Sequence, residues 1–128
     1  MSSLYRVIPT SDWLLTLSTG RVPMCGSDQR AGAVHLATEA TVLKTADLYF
    51  SADEAPLALE LDAEALKHAL VWDKLDADAH GPRLVAEGIP RSAVRAYWLL
   101  QPAEDGTFGM GVRHAVPPAG GVRPESAV

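Results

Sequence analysis

The sequence predicts an α+β domain. Three observations carry that class. LALELD (57–62) alternates strictly, with Leu57, Leu59 and Leu61 on one side and Ala58, Glu60 and Asp62 on the other, as in a half-buried strand. TSDWLLTLSTG (10–20) and TEATVLKTADLYF (38–50) repeat apolar residues at helical spacing. Strands and helices then mix without the regular strand–helix–strand order of a doubly wound sheet.

Taken in order, LYRVIP (4–9) reads as a first strand. Thr10, Ser11 and Asp12 offer N-cap oxygens, Trp13, Leu14 and Leu17 form an apolar stripe, and Gly20 stops the helix. RVPMCGSDQRA (21–31), with Pro23, Gly26 and Asp28, reads as a loop before the short strand GAVHL (32–36). Thr38 is placed to cap the next helix, with Glu39 in its first turn and Val42, Leu43, Ala46, Tyr49 and Phe50 on one face. SADEAP (51–56) is a turn into the alternating strand. AEALKHAL follows as a short helix and VWDKL as a strand. Residues 76–88 read as irregular, and IPRSAV as one helical turn with Pro90 near its start. VRAYWLLQP (94–102) and TFGMGVR (107–113) flank the turn AEDG as a hairpin. Residues 1–113 thus form one domain. From His114 the chain is rich in Pro and Gly, has little to bury, and is expected to be a disordered tail over 114–128.

Composition limits the function classes. A chain of 128 residues, 48% hydrophobic, suits one domain with its own core. With 11 basic and 16 acidic residues the net charge is -5, which disfavours a general grip on DNA and leaves room for a small anion held by one or two arginines. Cys25 is the only cysteine, so neither an intrachain disulfide nor a cysteine zinc site can form. No segment approaches the ~20 apolar residues that span a bilayer, and the N-terminus lacks the apolar run of a signal peptide. The expected location is a reducing cytoplasm.

GAVHLATEATVLKTADLYF, LALELDAEAL and GPRLVAEGIPRSAV together resemble the domain-of-unknown-function 952 family of small bacterial proteins. The residues that carry the resemblance are Gly32, His35, Leu36, Thr38, Thr45, Ala46, Phe50 and Asp62, and it runs from about Leu4 to Val94. VHLATEA and LELDAEA are also similar to a pair of segments in the RNA 2'-phosphotransferases, which use NAD. Both resemblances imply an ADP-ribosyltransferase-like fold, a compact split β-sheet with flanking short helices around a cleft, and NAD as a cofactor or ligand. The chain departs from these patterns at Ala37, where a hydroxyl residue is usual, and at Pro82-Arg83-Leu84-Val85, which stands in place of Pro-His-Leu-Tyr.

The candidate ligand-binding residues are Arg6, His35, Thr38, His80 and Arg83. His35, at a strand end, offers one donor and one acceptor for a ribose hydroxyl or an amide; a buried imidazole bonded to a carbonyl is the alternative. Arg6 sits on the face opposite Tyr5 and Val7, where a guanidinium can clamp a phosphate; a solvated arginine is the alternative. His35 and Glu60 are the catalytic candidates, Glu60 as the carboxylate that would stabilise positive charge on a ribose losing nicotinamide. Asp76, Asp78 and His80 alternate, but their spacing matches no zinc or calcium loop, and no metal is expected. GTFGMG (106–111) is similar to a phosphate loop but opens no helix. The sequence therefore points to a nucleotide-binding protein next to His35, catalytic as an ADP-ribosyl or phosphoryl transferase, or else a binding module that keeps the fold without the active site.

Overall fold

The long strands lie side by side in one antiparallel sheet. The computed structural model describes residues 3–25, 29–30, 32–72, 82–86 and 88–117. Strand β1 (Leu4–Pro9) leads into helix α1 (Thr10–Thr19), then β2 (Arg21–Val22), β3 (Val34–His35) and β4 (Ala37–Thr38). Helix α2 (Val42–Tyr49), β5 (Pro56–Leu61), helix α3 (Ala63–Leu66) and β6 (Leu70–Val71) follow. The chain closes with β7 (Arg83–Leu84), β8 (Ile89–Pro90), β9 (Val94–Pro102) and β10 (Phe108–Ala115). The main sheet has the order β10-β9-β5-β1-β4; β3-β7-β6 form a second sheet and β2-β8 a third. Every pairing among the described residues is antiparallel. The protein is thus α+β, as expected. None of its described helices is long and apolar enough to cross a membrane.

The main sheet is covered on both faces. One face carries Leu4, Ile8, Leu57, Leu59 and Leu61, which pack with Trp13, Val22, Val34, Leu36, Leu84 and Ile89. The two small sheets and α1 therefore close this side. The other face carries Tyr5, Val7, Ala58, Leu100 and Phe108 against Val42 and Ala46 of α2. All six residues of β5 are buried in consequence. The expected half-buried strand is instead the doubly covered centre of the sheet, because Ala58 and Glu60 face α2's side rather than water.

Local chemistry explains several boundaries. Gly20 ends α1 in the left-handed region (φ 84°), and its amide donates to the Thr16 carbonyl at 2.8 Å. Glycine enters that region at little cost. Pro9 is the α1 N-cap and Thr10 donates instead to the Ala55 carbonyl at 2.6 Å, so the expected side-chain cap is not formed. The buried face of α1 is Trp13 and Thr16, while Leu14 and Leu17 are exposed. Thr16 can be buried because its hydroxyl donates to the Asp12 carbonyl at 2.7 Å. Asp62 caps α3, accepting from the Glu64 amide at 3.0 Å. The 89–94 segment is the short strand β8 followed by the expected single turn, in 3-10 form, over Arg91–Ala93 with Pro90 as its N-cap. The expected hairpin is present, and its second strand runs on to Ala115, with the Val116 amide donating to the Arg95 carbonyl at 2.8 Å. His114 and Ala115 thus belong to the sheet and not to the expected tail, whose residues 118–128 lie outside the described residues.

Candidate functional site

The small sheet β3-β7-β6 has an inner and an outer face. Val34 pairs with Leu84 and Leu84 with Leu70, and this row faces the core. His35 pairs with Arg83 and Arg83 with Val71, one residue on, so this row faces outward. Burial agrees: Val34 and Leu36 are each 2% accessible, whereas His35 between them is exposed. The Leu36 amide donates to the Pro82 carbonyl at 3.0 Å. The adjacent His35–Arg83 pair is therefore the non-hydrogen-bonded kind, in which side chains on one face approach most closely, with Cβ atoms about 4.5–5.5 Å apart. An imidazole and a guanidinium stand side by side on an open surface. Arg83 makes no ion pair among the described residues.

Arg6 reaches this sheet from behind. It lies opposite Leu59 in the main sheet, on the face that meets the small sheets. Its Nη1 donates to the His35 carbonyl at 2.9 Å, and its Nη2 contacts Cys25 Sγ at 3.6 Å. Arg6 thus holds the main chain of residue 35, while the imidazole of that residue points the other way. A shallow, open hollow of about 380 Å³ is lined by Met24, Gln29, Gly32, Val85 and Ala86. Gly32, Val85 and Ala86 flank β3 and β7 beyond the Val34–Leu84 pair, so the hollow lies at that end of the strands, one pair removed from His35 and Arg83.

Thr38 sits in β4, opposite Leu4 of the main sheet. Its amide donates to Thr41 Oγ1 at 3.0 Å and its hydroxyl shares a 3.1 Å hydrogen bond with the same atom. It shapes the turn before α2, whose N-cap is Thr41, and so does not cap the helix as expected. Ala37 pairs with Tyr5 and is buried against α2's side of the main sheet. A hydroxyl at 37 would therefore point away from the His35 surface, and its absence subtracts nothing from that surface. His80, Asp76 and Asp78 lie outside the described residues. Among the described residues, no group of three or more His, Cys, Asp or Glu is arranged to hold a metal ion.

Glu60 is on the far face of the main sheet, paired with Tyr5 rather than Arg6. Its carboxylate accepts from Arg113 Nε at 3.0 Å, Arg113 Nη2 at 2.9 Å and Trp98 Nε1 at 3.0 Å. It cannot act on a ligand beside His35, because the sheet stands between them. The Arg113 hydrogen bonds hold the Glu60 carboxyl below its usual value, outweighing the opposing effect of burial, with the Trp98 indole adding to the lowering. Burial, then the nearby Glu60 charge, raises the Tyr5 phenol. A carboxyl with a depressed folded value stabilises the fold fully above its unfolded value and loses that stabilisation as pH falls through the folded one. The urea midpoint is accordingly expected to stay level from about pH 7 to about pH 5 and to fall below, and Glu60→Gln is expected to flatten that acid limb. An unchanged acid limb in the variant would assign the loss to other carboxylates.

Sequence reasoning did not find the partners of Glu60, which lie 38 and 53 positions away. Nor did it find the stack of Tyr97 on His114, with ring centroids 4.9 Å apart. The alternation of β9 was the available signal, since it puts Tyr97 and Trp98 on opposite faces.

Comparison with known proteins agrees with the architecture. A family model described as a protein of unknown function (DUF952) matches residues 7–97. The crystal structure of protein CC0527 from Caulobacter crescentus is 23% identical, covering 84% of this chain and 93% of that one, with a TM-score of 0.74. The solution NMR structure of CC0527 is 24% identical, covering 82% and 90%, with a TM-score of 0.65. At these identities the likeness establishes the fold. No curated protein matches the sequence.

Proposed function

The chain belongs to the DUF952 family of proteins of unknown function, and from its surface we propose that it binds a small anionic nucleotide, NAD or an ADP-ribosyl compound, without turning it over. The carrying observation is the His35–Arg83 pair on the outer face of the small sheet. An arginine with no ion pair among the described residues, beside an exposed imidazole, is suited to phosphate oxygens and ribose hydroxyls. The hollow one residue pair away, with Met24, Val85 and Ala86, suits an apolar ring. Arg6 contributes by fixing residue 35 from behind. NAD as the ligand, and the ADP-ribosyltransferase-like name for the split sheet, rest on the resemblance of VHLATEA and LELDAEA to segments of the NAD-using RNA 2'-phosphotransferases. The division of the strands into a five-stranded sheet and two smaller sheets, of three and two strands, over one core supports that name.

Binding is preferred to catalysis because Glu60, the carboxylate proposed to face a ribose cation, is bound to Arg113 on the opposite side of the sheet. We further place the protein in a reducing cytoplasm, in keeping with its single exposed thiol, Cys25.

Calorimetric titration with NAD, ADP-ribose and AMP tests the proposal. Saturable heat is expected with at least one of them, reduced about tenfold in affinity by His35→Ala, with no nicotinamide released on prolonged incubation. Absence of heat at millimolar ligand removes the nucleotide. Release of nicotinamide removes the non-catalytic assignment.

A further inference from the structure

The hairpin of β9 and β10 changes register partway along. From the turn, Phe108 pairs with Pro102, Gly109 with Gln101 and Met110 with Leu100. After a bulge, Arg113 pairs with Trp98, His114 with Tyr97 and Ala115 with Ala96. One extra residue has entered β10, and everything beyond it faces the opposite way from a straight continuation. A straight strand would set Val112 opposite Trp98, Arg113 opposite Tyr97 and His114 opposite Ala96.

The sequence of β10 favours the straight form. Phe108, Met110 and Val112 alternate with Gly109 and Gly111, so a straight strand would put all three apolar side chains on the face covered by α2. The bulge leaves Val112 58% exposed. What it gains is the double hydrogen bond of Arg113 to Glu60 and the stack of His114 on Tyr97. It also depends on glycine at 111, where a Cβ would collide with the Leu99 carbonyl oxygen. β10 is an edge strand, so a slip disturbs one pairing only.

We propose that β10 has two registers and that the Glu60–Arg113 pair is the lock that selects the bulged one. Release of the lock slides the end of β10 by one residue. Val112 is then buried beside Trp98. The Arg113 charge passes to the face that carries Tyr97 and Arg6, and His114 takes its place on the Glu60 face. The device moves a positive charge from one side of the sheet to the other with no change in the rest of the fold.

Nuclear Overhauser contacts across the hairpin read the register directly. The unaltered protein is expected to show contacts of 113 with 98 and 114 with 97, and the His114 ring protons shifted by the Tyr97 ring. In Arg113→Gln, contacts of 112 with 98 and 113 with 97 are expected to replace them, and the ring shift to vanish. Gly111→Ala, which disfavours the bulge directly and leaves the residues Glu60 and Arg113 unaltered, supplies the reference spectrum of the straight form. Glu60→Gln is the second release variant, read in the same way if Arg113→Gln does not fold. Retention of the 113–98 and 114–97 contacts in the release variant overturns the proposal, as does a straight register in the unaltered protein.

Discussion

Replacing Leu59 by Ala is expected to lower the unfolding free energy by about 3–5 kcal/mol, the upper range for truncating a buried leucine. Leu59 has no accessible surface and sits in β5, the middle strand of five. Its cross-strand neighbours are Arg6 on β1 and Tyr97 on β9. Neither can collapse into the space left behind: Arg6 is tied to the His35 carbonyl, and Tyr97 is held between Trp13 and His114. A cavity that cannot close adds its own cost to the lost transfer free energy. The same change at Leu14, which is 60% exposed, is expected to stay within about 0.5 kcal/mol. Urea denaturation checks both, through a lower midpoint at constant slope for Leu59→Ala. Similar midpoints for the two variants would mean that β5 is not the packed centre.

Replacing Arg83 by Gln is expected to weaken nucleotide binding by about 10- to 100-fold, the loss of one charge-assisted contact of about 1.5–3 kcal/mol. Thermal stability is expected to change little, because Arg83 has no ion pair among the described residues to lose. The effect should shrink in high salt, since the site is open and exposed charges are screened beyond about 10 Å at 0.1 M. Calorimetry and a melting curve on one preparation separate the two effects. A lower melting temperature with unchanged affinity would make Arg83 a structural residue. Unchanged values of both would move the ligand elsewhere.

Much of the fold was legible from the chain, but the facing of its elements was less so. Gly20 marked the end of α1 because only the left-handed cap there requires it. The apolar stripe of α1 misled, because Thr16 is buried with its hydroxyl satisfied inside the helix, and hydropathy does not record an internal hydrogen bond. Alternation in LALELD located β5 but not its second cover, since Glu60 is accommodated by Arg113 from a strand that only the tertiary fold brings near. The bulge in β10 was hidden for the same reason, as its local pattern argues for the straight form. At the candidate site, His35 and Arg83 do meet, as two short strands happen to pair. Arg6 joins them through the backbone, Thr38 belongs to the turn before α2, and Glu60 is across the sheet.

The step between β3 and β4 has a further consequence. His35 ends a strand in one sheet and Ala37 begins a strand in another, with Leu36 alone between them and buried. Such a junction has no slack. Lengthening the chain there by one residue would turn either the His35 row or the Thr38 row inside out, so this part of the gene is closed to insertions and deletions. The AEDG turn, exposed and bounded by long strands, is where an inserted residue is expected to be tolerated.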